Sequence, residues 1–243
     1  MTRFAVSLFA ASILLSLSAS PASAQTKKAV GKAKPAAAKT VEAPIAPVCP
    51  LLTGEIPVFI LTSAGALDVV LDIKRAPITT KNFLRYVDEK RLDGASFYRV
   101  LKMSDNPADP QGLIQAGQRM PGKALPPIAH EPTSQTGLSH IRGALSMARG
   151  APGTATNDFF ILASDMKGLD ADPAKTSGDN LGYAVFGQVV MGMDVVKNIF
   201  NQRIDPGKGP MVGQMLDEPV KIVRARRIPL RAATDPACTK PAF

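Results

Sequence analysis

Two short apolar segments each carry one polar residue able to do chemistry. In SFYRVL, residues 96–101, it is Arg99, beside Phe97; in GLIQAG, residues 112–117, it is Gln115, beside Leu113 and Ile114. An arginine stays protonated and offers several donors in a rigid planar fork, so its chemistry is donation to a lone pair rather than proton exchange. A neighbouring amide can both accept and donate, which suits it to orient that fork. A third segment, LSMARGAPGTATNDFFI at 145–161, sets a run of Gly, Ala, Thr and Pro between apolar ends. Small side chains leave a groove and the flanking apolar residues line it, with Arg149 and Asp158 as its charged members. On spacing alone, the simpler reading of Arg99 and Gln115 is that they point outward from half-buried strands.

Other chemistries find no support. There is no nucleophile elbow, no phosphate-binding glycine loop and no pair of histidines beside a nucleophile. His130 and His140 stand ten apart with no Cys/His cluster at metal spacing, so they are read as surface or hydrogen-bonded histidines. Neither a metal nor a cofactor is expected.

The elements that must position these residues are mostly short strands. VFILT and LDVVLDI, separated by SAGA, read as a β-hairpin with glycine in the turn. SFYRVL, GLIQAG, GALSMA, DFFIL, YAVFGQV and VKIVRAR are further strands. ITTKNFLRYVDEK has helical period, with Phe83, Leu84 and Val87 on one side and Pro77 upstream; MDVVKNIF is a second helix, with Met193, Val196 and Phe200 on one face. Many short strands, two helices and no regular βαβ alternation favour an antiparallel barrel over a doubly wound sheet.

The ends are of a different character. Residues 1–24 read as an export signal: Arg3, the apolar run AVSLFAASILLSL, and Ala22-Ser23-Ala24 as a cleavage site. That run is too short to span a bilayer comfortably and no later segment is a candidate, so a periplasmic protein without an integral membrane span is expected. Residues 25–48 are almost wholly Ala, Lys, Pro and Val and read as a disordered linker, able to make weak contact with an anionic surface. Of the formal charge of +9, Arg3 carries one and residues 25–48 a net four, leaving a mildly basic body without aromatic-basic interleaving, which argues against nucleic-acid binding. The folded domain is placed at 49–243, with a C-terminal extension from about 232. Cys49 and Cys238 lie near its ends and, in an oxidising compartment, are expected to form a disulfide; two free buried thiols are the alternative.

Taken together and in order, LDGASFYRVL, GLIQAGQ, GALSMARGAPGTATNDFFIL and GYAVFGQVVMGMDVVKNI resemble the cyclophilin family of peptidyl-prolyl cis-trans isomerases, particularly its exported bacterial members, over residues 56–229. The resemblance implies a mainly β fold: a closed eight-stranded antiparallel β-barrel with two capping α-helices. It implies Arg99 as the catalytic arginine and Gln115 as the partner that orients it. Leu113, Met147, Phe160 and Leu169 would line the proline pocket, with Tyr183 where many relatives have histidine and Phe97, beside Arg99, a further substrate-binding residue. Ala148 and Arg149 would form the edge along which the peptide runs, and Asp158 would lie near the groove. The implied function is isomerisation of prolyl bonds in unfolded or partly folded exported proteins; a peptide-binding module or holdase of the same fold with little turnover is the alternative. A structural envelope protein attached by its basic tail rests on composition alone.

Three positions depart from the family pattern. Gly112 stands where phenylalanine is frequent, Asp158 where glutamine is usual, and Gly168 where animal members have tryptophan. Residues 102–111 look like an insertion. For Asp158 two outcomes are open: contact with Arg99, or capping of backbone amides in the Gly150–Asn157 loop, the latter favoured because many N–H groups there need acceptors.

Overall fold

The computed structural model describes residues 45–46, 54–120, 122–176 and 178–230. Cys49, Cys238, the export signal, and all but residues 45 and 46 of the linker lie outside the described residues. The described residues belong to one unit, Pro44–Phe243.

Strands β1 (Glu55–Thr62), β2 (Gly65–Asp72), β3 (Ser96–Lys102), β4 (Gly112–Gly117), β5 (Ala144–Met147), β6 (Phe159–Leu162), β7 (Ala184–Met191), β8 (Ile204–Asp205) and β9 (Met215–Arg227) form a single sheet. Its order is β1-β2-β7-β5-β6-β4-β3-β9, and a further β1–β9 pairing closes it into an eight-stranded antiparallel barrel; the two-residue β8 is an appendage of β9. The β1–β2 hairpin turns on Ser63 and Ala64, and Thr62 Oγ1 closes it by donating to the Gly65 carbonyl at 2.7 Å.

Helix α1 (Pro77–Asp88) starts where the sequence places proline, whose missing N–H costs nothing at a first turn. Its orphan donors are met from a distance: the buried Glu131 carboxylate accepts from Ile78 N at 3.0 Å and Thr79 N at 2.7 Å. A carboxylate there also suits the positive end of the helix dipole. Phe83, Leu84, Tyr86 and Val87 are buried against the barrel. Helix α3 (Met193–Phe200) buries Val195, Val196, Ile199 and Phe200, while Met193, expected on its buried face, is only partly covered. A single turn, α2 (Thr133–Thr136), was not expected.

Strand alternation divides the apolar residues into two sets. The barrel interior holds Val58, Leu67, Phe97, Val100, Ile114, Ala116, Leu145, Met147, Phe159 and Ile161 with the helix faces. A smaller cluster on the outer surface holds Leu113, Ala144, Phe160, Leu162 and Val185, with Leu101, Ala148, Met166, Leu169 and Tyr183 packed on it. The first set keeps the barrel closed; the second is where the candidate site lies. The 102–111 segment is a loop fastened to α3, with Lys197 Nζ donating to the Ala108 carbonyl and Asn201 Nδ2 to the Pro107 carbonyl at 3.0 and 3.1 Å.

Candidate active site

A β-bulge makes the site possible. Phe97 pairs with Ala116 and Arg99 with Gln115, so Tyr98 is an extra residue on β3. A bulge re-aims side chains: Phe97 and Val100 still point into the interior, while Tyr98 and Arg99 both reach the outer surface over Gln115. From there a row crosses the sheet, Arg99 opposite Gln115, Gln115 opposite Phe160, and Phe160 opposite Ser146.

Arg99 is half-buried and held by two amide oxygens. Its Nη1 donates to Gln115 Oε1 at 2.6 Å and its Nε to Gln214 Oε1 at 2.8 Å. Burial draws the guanidinium pKa down from its ordinary value, yet an arginine so held remains a cation. Gln115 Nε2 donates to the Tyr98 hydroxyl at 2.6 Å, and that hydroxyl donates to Asp158 Oδ2 at 2.6 Å. Burial pushes the Tyr98 hydroxyl pKa well up, reinforced by the adjacent Asp158 carboxylate. Asp158 therefore takes neither of the two anticipated partners. Its carboxylate accepts from Tyr98, whereas the loop amides are met otherwise, Gly150 N by Thr154 Oγ1 at 3.1 Å.

Two residues expected at the groove are not there. Phe97 and Met147, 0% and 1% exposed, face the barrel interior, where Phe97 packs against Phe159 at 6.0 Å; the strand pleat puts them on the opposite side from Leu113 and Phe160. Leu113, Phe160, Leu169, Tyr183 and Ala148 do come together in the outer cluster, with Tyr183 edge-on to Phe160 at 5.5 Å. Arg149 lines the neighbouring groove, but its guanidinium is turned into a local anchor. It pairs with both Asp179 oxygens at 2.7 and 2.8 Å, donates to the Gly182 carbonyl, and covers the Tyr183 ring at 5.2 Å. That pair holds the Asp179 carboxyl at about 2.

The groove encloses about 530 Å³ and is floored by Tyr98, Gln115 and Asp158, with Arg119, Thr154 and Met211 among its walls. Gln115 thus stands between this polar groove and the apolar cluster on the far side. Gly112 lies at the apolar end with φ of +137°, where an added Cβ would collide with the Leu101 carbonyl oxygen, so no phenylalanine fits this backbone.

Behind Phe160 lies a set that sequence reading missed. His140 Nδ1 meets Asp170 Oδ1 at 2.5 Å and its Nε2 meets Ser146 Oγ at 2.9 Å, with the imidazole stacked 6.0 Å from the Phe160 ring. The order imitates a nucleophilic triad, but His140 and Ser146 are fully buried and no substrate carbonyl reaches them. What they do is back the Phe160 ring. Gln214, on the loop before β9, is the other omission; nothing in GPMVGQM separates it from an ordinary turn.

The arrangement offers no nucleophile and, among the described residues, no group of ligands able to hold a metal ion. It offers a fixed cation beside an apolar cluster. The family model described as cyclophilin type peptidyl-prolyl cis-trans isomerase/CLD matches residues 58–227. A peptidyl-prolyl cis-trans isomerase of Acinetobacter baylyi is 37% identical over 167 residues, 67% of this chain and 80% of that protein. Peptidyl-prolyl cis-trans isomerase B of Escherichia coli is 41% identical over 146 residues, 57% of this chain and 80% of the relative. A crystal structure of a Cryptosporidium parvum cyclophilin type peptidyl-prolyl cis-trans isomerase in the presence of the dipeptide Ala-Pro shares the fold, with a TM-score of 0.56 at 21% identity over 70% of this chain and 98% of that one. With the barrel, the matched span and these relatives in agreement, the chain belongs to the cyclophilin-type peptidyl-prolyl cis-trans isomerases.

Proposed function

We propose that this isomerase is exported, that it works on prolyl bonds in unfolded or partly folded proteins outside the cytoplasm, and that Arg99 is the group that acts on the bond. The observation that carries the catalytic assignment is the row from Arg99 through Gln115 to Phe160, a half-buried guanidinium fixed at the edge of the outer apolar cluster. The ring of a substrate proline would rest on Leu113 and Phe160, with the adjoining peptide in the polar groove beside Gln115.

The chemistry follows from the amide. Rotation about it costs about 18–20 kcal/mol because resonance is lost. Bringing a step of about 100 s to about 1 ms requires about 7 kcal/mol off that barrier. In the twisted state the prolyl nitrogen regains a lone pair, which Arg99 can engage; the planar amide has none to offer, so the bond forms only at the transition state. A hydrogen bond from a charged donor supplies about 1.5–3 kcal/mol. The remainder is left to the apolar seat, which solvates the charge-separated planar amide poorly and holds the ring while the acyl side turns. A protease-coupled isomerisation assay on residues 25–243 tests this reading; catalysis no faster than the uncatalysed rate would refute it.

Export rests on the leader-like residues 1–24, and an oxidising compartment gives Cys49 and Cys238 a reason to pair. Fractionation with N-terminal sequencing is expected to find a periplasmic chain starting at Gln25. Alkylation without reductant, read by intact mass, is expected to leave both cysteines unmodified because they are bridged. A cytoplasmic, full-length chain would overturn the export proposal.

A further inference from the structure

Arg99, Gln115, Tyr98 and Asp158 form a chain of hydrogen bonds whose direction is set by its two ends. The guanidinium only donates, which favours the Gln115 oxygen on its side, and the carboxylate only accepts; between these two ends Gln115 Oε1 accepts from Arg99, its Nε2 donates to the Tyr98 oxygen, and the Tyr98 hydroxyl donates to Asp158, each at 2.6 Å. An ionised carboxylate has no proton to give, so the chain has a single polarity from end to end. We infer that Asp158 and Tyr98 are positioning residues for the isomerase: the acceptor-only carboxylate fixes, through Tyr98, the orientation of the Gln115 amide that presents its oxygen to Arg99.

The surrounding fold is shaped for this chain. The bulge delivers Tyr98 to the outer face beside Arg99. Gly117 makes room for the carboxylate, since a Cβ there would collide with Asp158 Oδ1. The Arg119 guanidinium lies 4.6 Å over the Tyr98 ring. With an amide at position 158 the polarity is no longer unique. Its NH2 can donate to Tyr98, the hydroxyl then donates to Gln115, and the Gln115 amide turns so that its own NH2 faces the guanidinium. Two donors then oppose each other and Arg99 loses a restraint.

The charge on Asp158 ties this to pH. The groups facing it are Tyr98 from β3, Gln115 from β4, Arg119 after β4, its neighbour Asn157, and Tyr86 from α1. Burial raises the Asp158 carboxyl above the ordinary aspartate value, partly offset by Tyr98, Arg119 and the nearby Gln115 amide. A carboxyl whose pKa is raised in the folded state costs stability when ionised, from its unfolded pKa upward. Asp158→Asn therefore keeps or raises thermal stability while lowering turnover, a split that a merely structural residue does not give.

The proposal rests on the assignment of Arg99 as the catalytic group, and the experiment separates the two. Wild type, Arg99→Ala, Asp158→Asn, Tyr98→Phe and the Asp158→Asn/Tyr98→Phe double variant of the mature chain are compared in a protease-free isomerisation assay between about pH 4 and 8, spanning the ordinary carboxylate and histidine range. Asp158→Asn and Tyr98→Phe are each expected to lose about fivefold in kcat, the worth of one hydrogen bond, with KM little changed. The double variant is expected to be no worse than Tyr98→Phe, and the acid limb of the wild-type profile to be absent from Asp158→Asn. In parallel, the Gln115 side-chain amide is expected to give one NMR environment in wild type and exchange broadening or doubling in Asp158→Asn. Activity retained in Arg99→Ala would overturn the assignment on which this rests. Activity lost there but unchanged in Asp158→Asn, with a single Gln115 environment, overturns the polarity proposal alone.

Discussion

Arg99 Nε donates to Gln214 Oε1 at 2.8 Å, joining the bulged strand β3 to a loop 115 residues further on. The loop is itself tied down, because Val100 N donates to the Gln214 carbonyl at 2.8 Å. Gln115 and Gln214 thus hold the guanidinium from two sides and leave Nη2 as the donor nitrogen that neither amide takes.

Removing the second clamp should loosen the fork without emptying the site. Gln214→Ala is expected to lower kcat/KM about fivefold, from a lost hydrogen bond of about 1 kcal/mol, with thermal stability nearly unchanged because the backbone bond to Val100 remains. Wild-type kcat/KM in the folded variant would show that Gln115 alone orients Arg99.

Arg99→Ala is expected to lower kcat/KM at least about a hundredfold, or about 2.7 kcal/mol, and Arg99→Lys about tenfold, since an ammonium keeps the charge but not the planar fork. Steady-state kinetics on variants with wild-type near-UV circular dichroism check both. More than a third of wild-type activity in Arg99→Ala would sink the mechanism.

Much of this site can be read along the chain, and the parts that cannot share a physical cause. The eight barrel strands and both long helices show in their periods, whereas α2 and β8, at four and two residues, are too short to have one. Leu113, Phe160, Leu169 and Tyr183 gather in one cluster, whereas Phe97 and Met147, expected beside them, lie on the other side of the pleat. The bulge had a signal: Phe97 and Val100 are three apart, an odd spacing that two inward residues of one strand allow only with an extra residue between them. The pairing of Asp158 with Tyr98 and the second clamp on Arg99 had none, because Tyr98 meets Asp158 across 60 residues and Gln214 meets Arg99 across 115.

Gly112 tests whether the missing phenylalanine is a loss or a requirement. Its φ of +137° and the Leu101 carbonyl leave no space for a Cβ, so Gly112→Ala is expected to destabilise the fold by about 2 kcal/mol or more, with Gly112→Phe worse still. Denaturant melts measure it. An unchanged midpoint in Gly112→Ala would mean that the β3–β4 connection yields freely and that the position tolerates the family's usual residue.

The His140–Asp170 pair gives the protein an acid sensitivity that can be assigned in advance. Burial lowers the His140 pKa, outweighing the opposing pull of Asp170. For Asp170, burial pushes upward but the hydrogen bonds from Ser139 and His140 prevail, leaving its carboxyl below the ordinary value. Both shifts have the same sign in linkage. The unfolded chain binds more protons than the native one, so stability falls as pH drops: first below the ordinary histidine pKa of about 6.5, then below the ordinary aspartate value of about 3.9. His140→Gln, which keeps hydrogen-bonding capacity without titrating, is expected to be less stable at pH 8 yet to lose the upper part of this slope. Because His140 stacks on Phe160, it should also slacken the wall of the proline seat and raise KM more than it lowers kcat. Urea melts from about pH 8 to 5, run on both proteins, decide it: parallel pH slopes would show that His140 does not charge on unfolding in this range and that the acid sensitivity lies elsewhere.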